Sequence, residues 1–213
     1  DPAIVPQDGS VSLAAVQFST NASLEIPLTV IQSAQDANNF ANQVRNISQR
    51  DDDTAIGDAI DLCQSTVQGQ RLRQKIDVST DGESNQGIDP VSAADAAFAA
   101  GIDEINVLGI GTAVSTPNLE SIARPQPVSQ FPDAGFVLLA DNFVDFSRAL
   151  RAKIAGEIGG PEAVGVPLIL RHSGFFAWHI FTISDFNTIV SRRISLPRKP
   201  ELHVMDVKDA DAS

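Results

Sequence analysis

A hydroxyl and a carboxylate in two separate loops are the groups of this chain best suited to chemistry. They are Thr54, in RDDDTAIGDAI, and Asp81, in STDGESNQG. Brought together at one sheet edge, they offer hard oxygen ligands, which suit Mg²⁺, Mn²⁺ or Ca²⁺ rather than soft metals. Gly57 and Gly82 would let the backbone pass close to such a site. Both candidates also have a plainer reading: threonine is a good N-cap for a following helix, and Asp-Gly is an ordinary turn signal.

Other residues carry less. The run Asp51-Asp52-Asp53 lacks the spaced oxygens of an EF-hand and reads as a solvated loop. Gly109-Ile110-Gly111 follows a strand, but Val114 stands where a dinucleotide fingerprint needs its third glycine. His172, His179 and His203 lie in no GxSxG or HExxH context. Cys63, on an apolar helix face, reads as a small core residue. Asn21-Ala22-Ser23 and Asn46-Ile47-Ser48 fit the glycosylation sequon, a triplet common by chance. No nucleophile–base pair, phosphate loop or paired acid is visible, so no catalytic residue is assigned. A hydrolase or nucleotide-dependent enzyme stays only as an alternative to a non-enzymatic reading.

The elements that must position Thr54 and Asp81 follow from periodicity. Residues 11–19 (VSLAAVQFS) form a continuous apolar run and read as a buried strand. Residues 23–31 (SLEIPLTVI) alternate, and Pro27 marks an edge strand because proline cannot donate to a ladder on both sides. Helical spacing of apolar residues predicts helices over 33–48 and 55–67. A short strand over 74–79 ends in the loop carrying Asp81, and Pro90 starts an alanine-rich helix closed by Gly101. Strands follow at 105–110 and 135–140, with a short helix near 118–123 and a long amphipathic one over 142–158.

Strands alternating with helices, each strand apolar on both sides, predict an α/β fold. It is a Rossmann-like, doubly wound, mostly parallel sheet with helices on both faces. The expected domain spans residues 9–158. Residues 159–213 change character: they are rich in β-formers, then basic, then acidic, and read as a β-rich extension of unknown role. An appended hairpin, an assembly arm and a poorly ordered tail all fit that composition. Trp178 with Phe175, Phe176 and Phe181 reads as a small core or an oligomer contact.

The chain has 213 residues, 43% of them hydrophobic and 20% charged, enough apolar material for a real core. Fifteen Lys and Arg against 27 Asp and Glu give a formal charge of −12. That field repels a polyanion, so nucleic acid is not an expected partner. A cation or a basic protein patch suits it better. A single cysteine makes no internal disulfide. No apolar run approaches the roughly 20 residues that cross a bilayer.

Five segments in order give the chain a family resemblance: VSLAAVQFS, TAIGDAIDL, KIDVSTDGESN, INVLGIGT and FVLLADNFVDFSRALRAKI. Together they resemble a von Willebrand factor A (VWA) domain, in particular a group of bacterial VWA-type proteins. The resemblance implies a metal-ion-dependent adhesion site, built in the family from an Asp-x-Ser-x-Ser loop, a threonine and an aspartate. Thr54 matches the threonine and Asp81 the aspartate. The Asp-x-Ser-x-Ser loop and the central first strand have no counterpart, and Asp206-Val207-Lys208 puts lysine where the motif needs serine.

A sheet lacking its centre would leave two strands with unpaired backbone. The expectation is therefore a fragment, or a slot filled by one of three tail segments, residues 166–170, 176–183 or 202–207. The functional expectation is a protein-binding or adhesion module, located extracellularly or in the periplasm. Its cation, Mg²⁺ or else Mn²⁺ or Ca²⁺, would be held by Thr54 and Asp81 and would take a carboxylate from a protein partner. The alternative is a metal-free assembly unit that forms homo-oligomers through its tail.

Overall fold

The alternating stretch ASLEIPLTV and the apolar run before it fold into a hairpin, β1 (Ser12–Phe18) pairing antiparallel with β2 (Ala22–Val30). The structure is a computed structural model. It describes residues 5–50, 52–69, 73–142, 145, 146, 148–151 and 153, together with the backbone of 178–181. After the hairpin come α1 (Ala34–Arg45), α2 (Ile56–Val67), β3 (Lys75–Thr80) and α3 (Pro90–Ala99). Then follow β4 (Glu104–Ile110), α4 (Thr116–Ile122), β5 (Val137–Ala140) and β6 (Trp178–Phe181). The described residues between 145 and 153 are helical. The rest of the helix expected to reach residue 158 lies outside the described residues, as do the segments 166–170 and 202–207.

The strands form one six-stranded sheet in the order β2-β1-β6-β3-β4-β5. Every pairing except that of the β1–β2 hairpin is parallel. The fold is therefore α/β and mostly parallel, as the sequence predicts, and β2 with Pro27 lies at an edge. The slot between β1 and β3 is filled. Trp178–Phe181 pairs in parallel with both, and it falls within one of the three tail segments expected to be able to do so. This part of the tail is thus an interior strand and not an appended hairpin. The side chains of Trp178 and Phe181, and all of Phe175 and Phe176, lie outside the described residues, as do His172, His203 and the side chain of His179.

Helix boundaries follow local chemistry. Ser33 caps α1 by accepting the Asp36 N–H, while Asp36 in turn accepts from the Ser33 hydroxyl and the Gln32 N–H. Asp89 caps α3 by accepting the Ser92 N–H at 2.8 Å, with Pro90 in the first turn. The Ser92 N–H and hydroxyl hold the Asp89 carboxyl below its ordinary range.

The two sheet faces differ in chemistry. On one, Val16 and Phe18 of β1, Ile76 and Val78 of β3, and Ile105 and Val107 of β4 form a continuous core with α2, α3 and α4. Cys63 is buried there, as expected; desolvation, with the Asp77 charge adding, pushes its thiol far above the ordinary range. Gly109 faces the same layer, and a Cβ there would lie 2.4 Å from Leu119 Cδ1. That glycine serves the close packing of α4, and Gly111, at φ +74°, takes the left-handed backbone that favours glycine.

The opposite face departs from the expectation of strands apolar on both sides. Its apolar residues form two separate clusters, one around Leu13, Ala15, Ile26, Phe40 and Val44, the other around Leu108, Ile110, Ala140 and Phe146. Between them β1, β3 and β4 bury polar groups, which must find partners. Lys75 pairs with Glu104 at 3.0 Å, and Glu104 also meets Arg73. Asn106 Oδ1 accepts the Gly135 and Phe136 N–H groups. Asp77 pairs at 3.1 Å with Lys153, and their side chains are 1% and 0% exposed.

Candidate functional site

Three loops converge at the carboxyl ends of the parallel strands, where open α/β sheets place ligands. They are the α1–α2 connection carrying Thr54, the β3–α3 loop carrying Asp81, and the β4–α4 loop. The Ala55 N–H donates to the Ser19 carbonyl at 2.8 Å, which sets the first loop against the end of β1. Thr54 does not cap the helix it precedes: the N-cap of α2 is Ala55, with no side-chain hydrogen bond. The plainer reading of Thr54 is therefore not realised, and its backbone is used to fasten the loops instead.

The fastening is dense. The Thr54 N–H donates to Asn85 Oδ1 at 2.8 Å, and the Thr54 carbonyl accepts from the Asn85 N–H at 3.0 Å and the Ser84 hydroxyl at 3.1 Å. Asp53 accepts from the Asn85 and Gln86 side-chain amides, so one member of the acidic run is a structural acceptor rather than a free solvated charge. Asp58 accepts the Ile88 N–H at 2.7 Å. Glu83 reaches the third loop, accepting the Ser115 N–H and the Asn118 amide, the latter at 2.6 Å. Thr80 closes the turn after β3 by donating to the Gly82 carbonyl at 2.8 Å.

Close backbone approach is built in at Gly57, here to the facing loop. A Cβ there would stand 2.0 Å from the Ile88 carbonyl oxygen. Gly82 is less constrained: its Cβ would meet Thr54 Oγ1 at 3.4 Å, an ordinary contact. That contact also shows that the Thr54 hydroxyl faces the Asp81-Gly82 turn. Gly57→Ala should lower the thermal midpoint, because the clash with fixed backbone (overpacking costs about 1–3 kcal/mol) exceeds what alanine adds to helix propensity. Gly82→Ala should stay within about 0.5 kcal/mol of the parent. A Gly57→Ala chain melting at or above the parent temperature would contradict the close approach.

Thr54 and Asp81 are both half-buried, so each stays open to solvent while its loop is pinned. Their donor set, one hydroxyl and one carboxylate, fits a hard divalent ion that keeps several waters, as Mg²⁺ does. Among the described residues no group of three or more His, Cys, Asp or Glu is arranged to hold a metal. The further ligands of such an ion would be water or a bound partner. The residues that sequence reading missed are those that position the site: Ser84, Asn85, Asp58 and Glu83. For Glu83, Ser84 and Asn85 the signal is the run Glu83-Ser84-Asn85-Gln86, side chains suited to bonding the backbone of a neighbouring loop; Asp58 lies apart from it, in the first turn of α2.

The fold is shared with solved structures. Proximal thread matrix protein 1 from the mussel byssus superposes with a TM-score of 0.59 at 22% identity, over 70% of this chain and 37% of that one. A second structure of that mussel protein, with a zinc-occupied MIDAS motif, matches with a TM-score of 0.56 at 24% identity, over 67% and 35%. The conserved hypothetical protein BatB from Bacteroides thetaiotaomicron matches with a TM-score of 0.53 at 22% identity, over 71% and 82%. This chain thus spans little more than a third of the mussel protein's length. A comparison with curated proteins finds no match. Residues 3–162 match the family described as "Protein of unknown function (DUF1194)".

Proposed function

The chain belongs to the DUF1194 family and its domain is VWA-like, and from that premise we propose that it is a non-enzymatic protein-binding module. Its ligand-facing end is the junction of the Thr54 and Asp81 loops. The observation that carries the reading is the fastening of these two loops through both backbone groups of Thr54, with its hydroxyl turned toward Gly82. A divalent cation held there would supply Lewis acidity and local positive charge. The Thr54 hydroxyl and the Asp81 carboxylate would hold it, and the hydrogen bonds from Asn85 and Ser84 would keep them from moving apart.

Charge supports a cation-bridged partner. With a formal charge of −12, the chain repels an acidic protein surface unless positive charge is placed between them. A partner carboxylate would therefore complete the ion's coordination shell. The zinc-occupied MIDAS motif of the mussel protein, a protein of similar fold, supports a divalent ion in this reading. Among the described residues no helix is long and apolar enough to cross a membrane, and an extracellular or periplasmic location belongs to the proposal.

The test is calorimetric titration of the chelator-stripped chain with Mg²⁺, Mn²⁺ and Zn²⁺, repeated on Thr54→Ala and Asp81→Ala. Saturable binding in the parent, weakened at least about tenfold (about 1.4 kcal/mol) by either substitution, is the expected result. Binding that survives both substitutions, or none in the parent, would overturn the metal-bridged reading.

A further inference from the structure

On the other side of the same sheet end, α1, the α1–α2 connection and β2 enclose a cleft of about 390 Å³. That volume is at the lower end of the roughly 300–1,000 Å³ typical of small-molecule sites. Its lining is unlike the core around it: Gln17, Glu25, Gln43, Asn46, Ser48 and Arg50 all contribute. We propose that this cleft is a second binding site, for a neutral, hydroxyl-bearing ligand of sugar size.

Gln17 is the central observation. It is the amide in a stretch of β1 that is otherwise apolar from Leu13 to Phe18, and it is 2% exposed. Its Nε2 donates to the Ser48 carbonyl at 3.0 Å, which holds the cleft wall in place. Its Oε1 is buried, and no donor among the described residues reaches it. A buried acceptor left in that state is costly unless a donor reaches it, and the cleft is the space from which one can come. Nothing in the construction of the sheet requires an amide here, since Ala15, two residues earlier on the same face, packs into the apolar cluster.

The chemistry of the lining selects the ligand. An anion brings no donor for Gln17 Oε1. A cation finds no spare carboxylate, because Glu25 accepts from Arg50 at 3.1 Å and the two charges cancel. Side-chain amides and a hydroxyl each offer both a donor and an acceptor, which complements groups that do the same, and sugar hydroxyls are of that kind. The site is separate from Thr54 and Asp81 and needs no metal. Residues 46–50 of its wall nonetheless run directly into the loop that carries Thr54.

The experiment is a titration of the isotope-labelled chain, in excess chelator, with glucose, N-acetylglucosamine and maltose, with acetate as the anionic probe. The readout is the side-chain amide resonances of Gln17 and Asn46. The proposal expects a saturable, millimolar shift with at least one sugar, none with acetate, and about tenfold weaker binding in Gln17→Leu, the effect of one lost hydrogen bond. If Gln17→Leu fails to fold, the exposed pair Gln43→Ala and Asn46→Ala must give the same weakening. Silence toward all three sugars, a response to acetate alone, or shifts unchanged in the variants would overturn it. Chelator leaves this outcome independent of the metal titration.

Discussion

Replacing Ile180 with proline is expected to abolish the cooperative thermal transition of the domain or lower it drastically. Ile180 lies in β6, opposite Val16 of β1 on one side and Val78 of β3 on the other. β1 and β3 do not pair with each other, so among the described residues the sheet is continuous only through this four-residue strand. Proline removes an N–H and places a ring against the ladder, which an interior strand does not tolerate. Loss of β6 would leave the inner edges of β1 and β3 unpaired, with their buried N–H and C=O groups uncompensated. Against a total stability of about 5–15 kcal/mol for an ordinary domain, several such losses are decisive. Circular dichroism melting, with hydrogen exchange at the Val16 and Ser79 amides, checks this. An unchanged melt with both amides still protected would mean that β6 does not hold the centre of the sheet.

The second large effect is expected at Lys153. Its ammonium lies 3.1 Å from the Asp77 carboxylate and 5.8 Å from the centre of the Phe136 ring, and both charged side chains are almost completely withdrawn from water. Lys153→Met should destabilise by about 3–5 kcal/mol, because it leaves a buried carboxylate without its counter-charge. The double variant Asp77→Leu, Lys153→Met should recover part of that loss, since an apolar pair of similar volume avoids the desolvation of two ions. Urea unfolding of the parent, the two single variants and the double variant closes the cycle. Additive losses would show that the two groups do not act as a pair. The pair ties the helical residues after β5 to the middle of the sheet, at the polar break between the two apolar clusters of that face.

The loop positions and the candidate ligands are legible in the sequence because they rest on local signals. Thr54 stands out as a hydroxyl just ahead of a helix, and Asp81 as a carboxylate just past the end of a strand. What lies hidden is how they are held. Asn85 and Ser84 read as ordinary loop residues, yet they fasten Thr54 from 31 and 30 residues away. Asp53 reads as part of a solvated acidic run, and in the fold it accepts two side-chain amides of the facing loop. Hydrogen bonds between loops distant in sequence leave no periodic trace.

What the sequence alone determined is the order and type of the described elements, since the side-chain period of a helix or strand is a property of a single segment. Pro27 marks the edge strand and Pro90 a helix start for the same local reason. Only the tertiary structure decided which segment fills the centre of the sheet. Three stretches of the tail carry similar β-forming composition, and pairing in a parallel ladder depends on two neighbours that lie far away in the chain. It also decided that the second face of the sheet is polar at its middle. The sequence reading expects β3 to be apolar on both sides, like its neighbours; that Asp77 is buried there beside Lys153 depends on a helical residue 76 positions downstream closing over it.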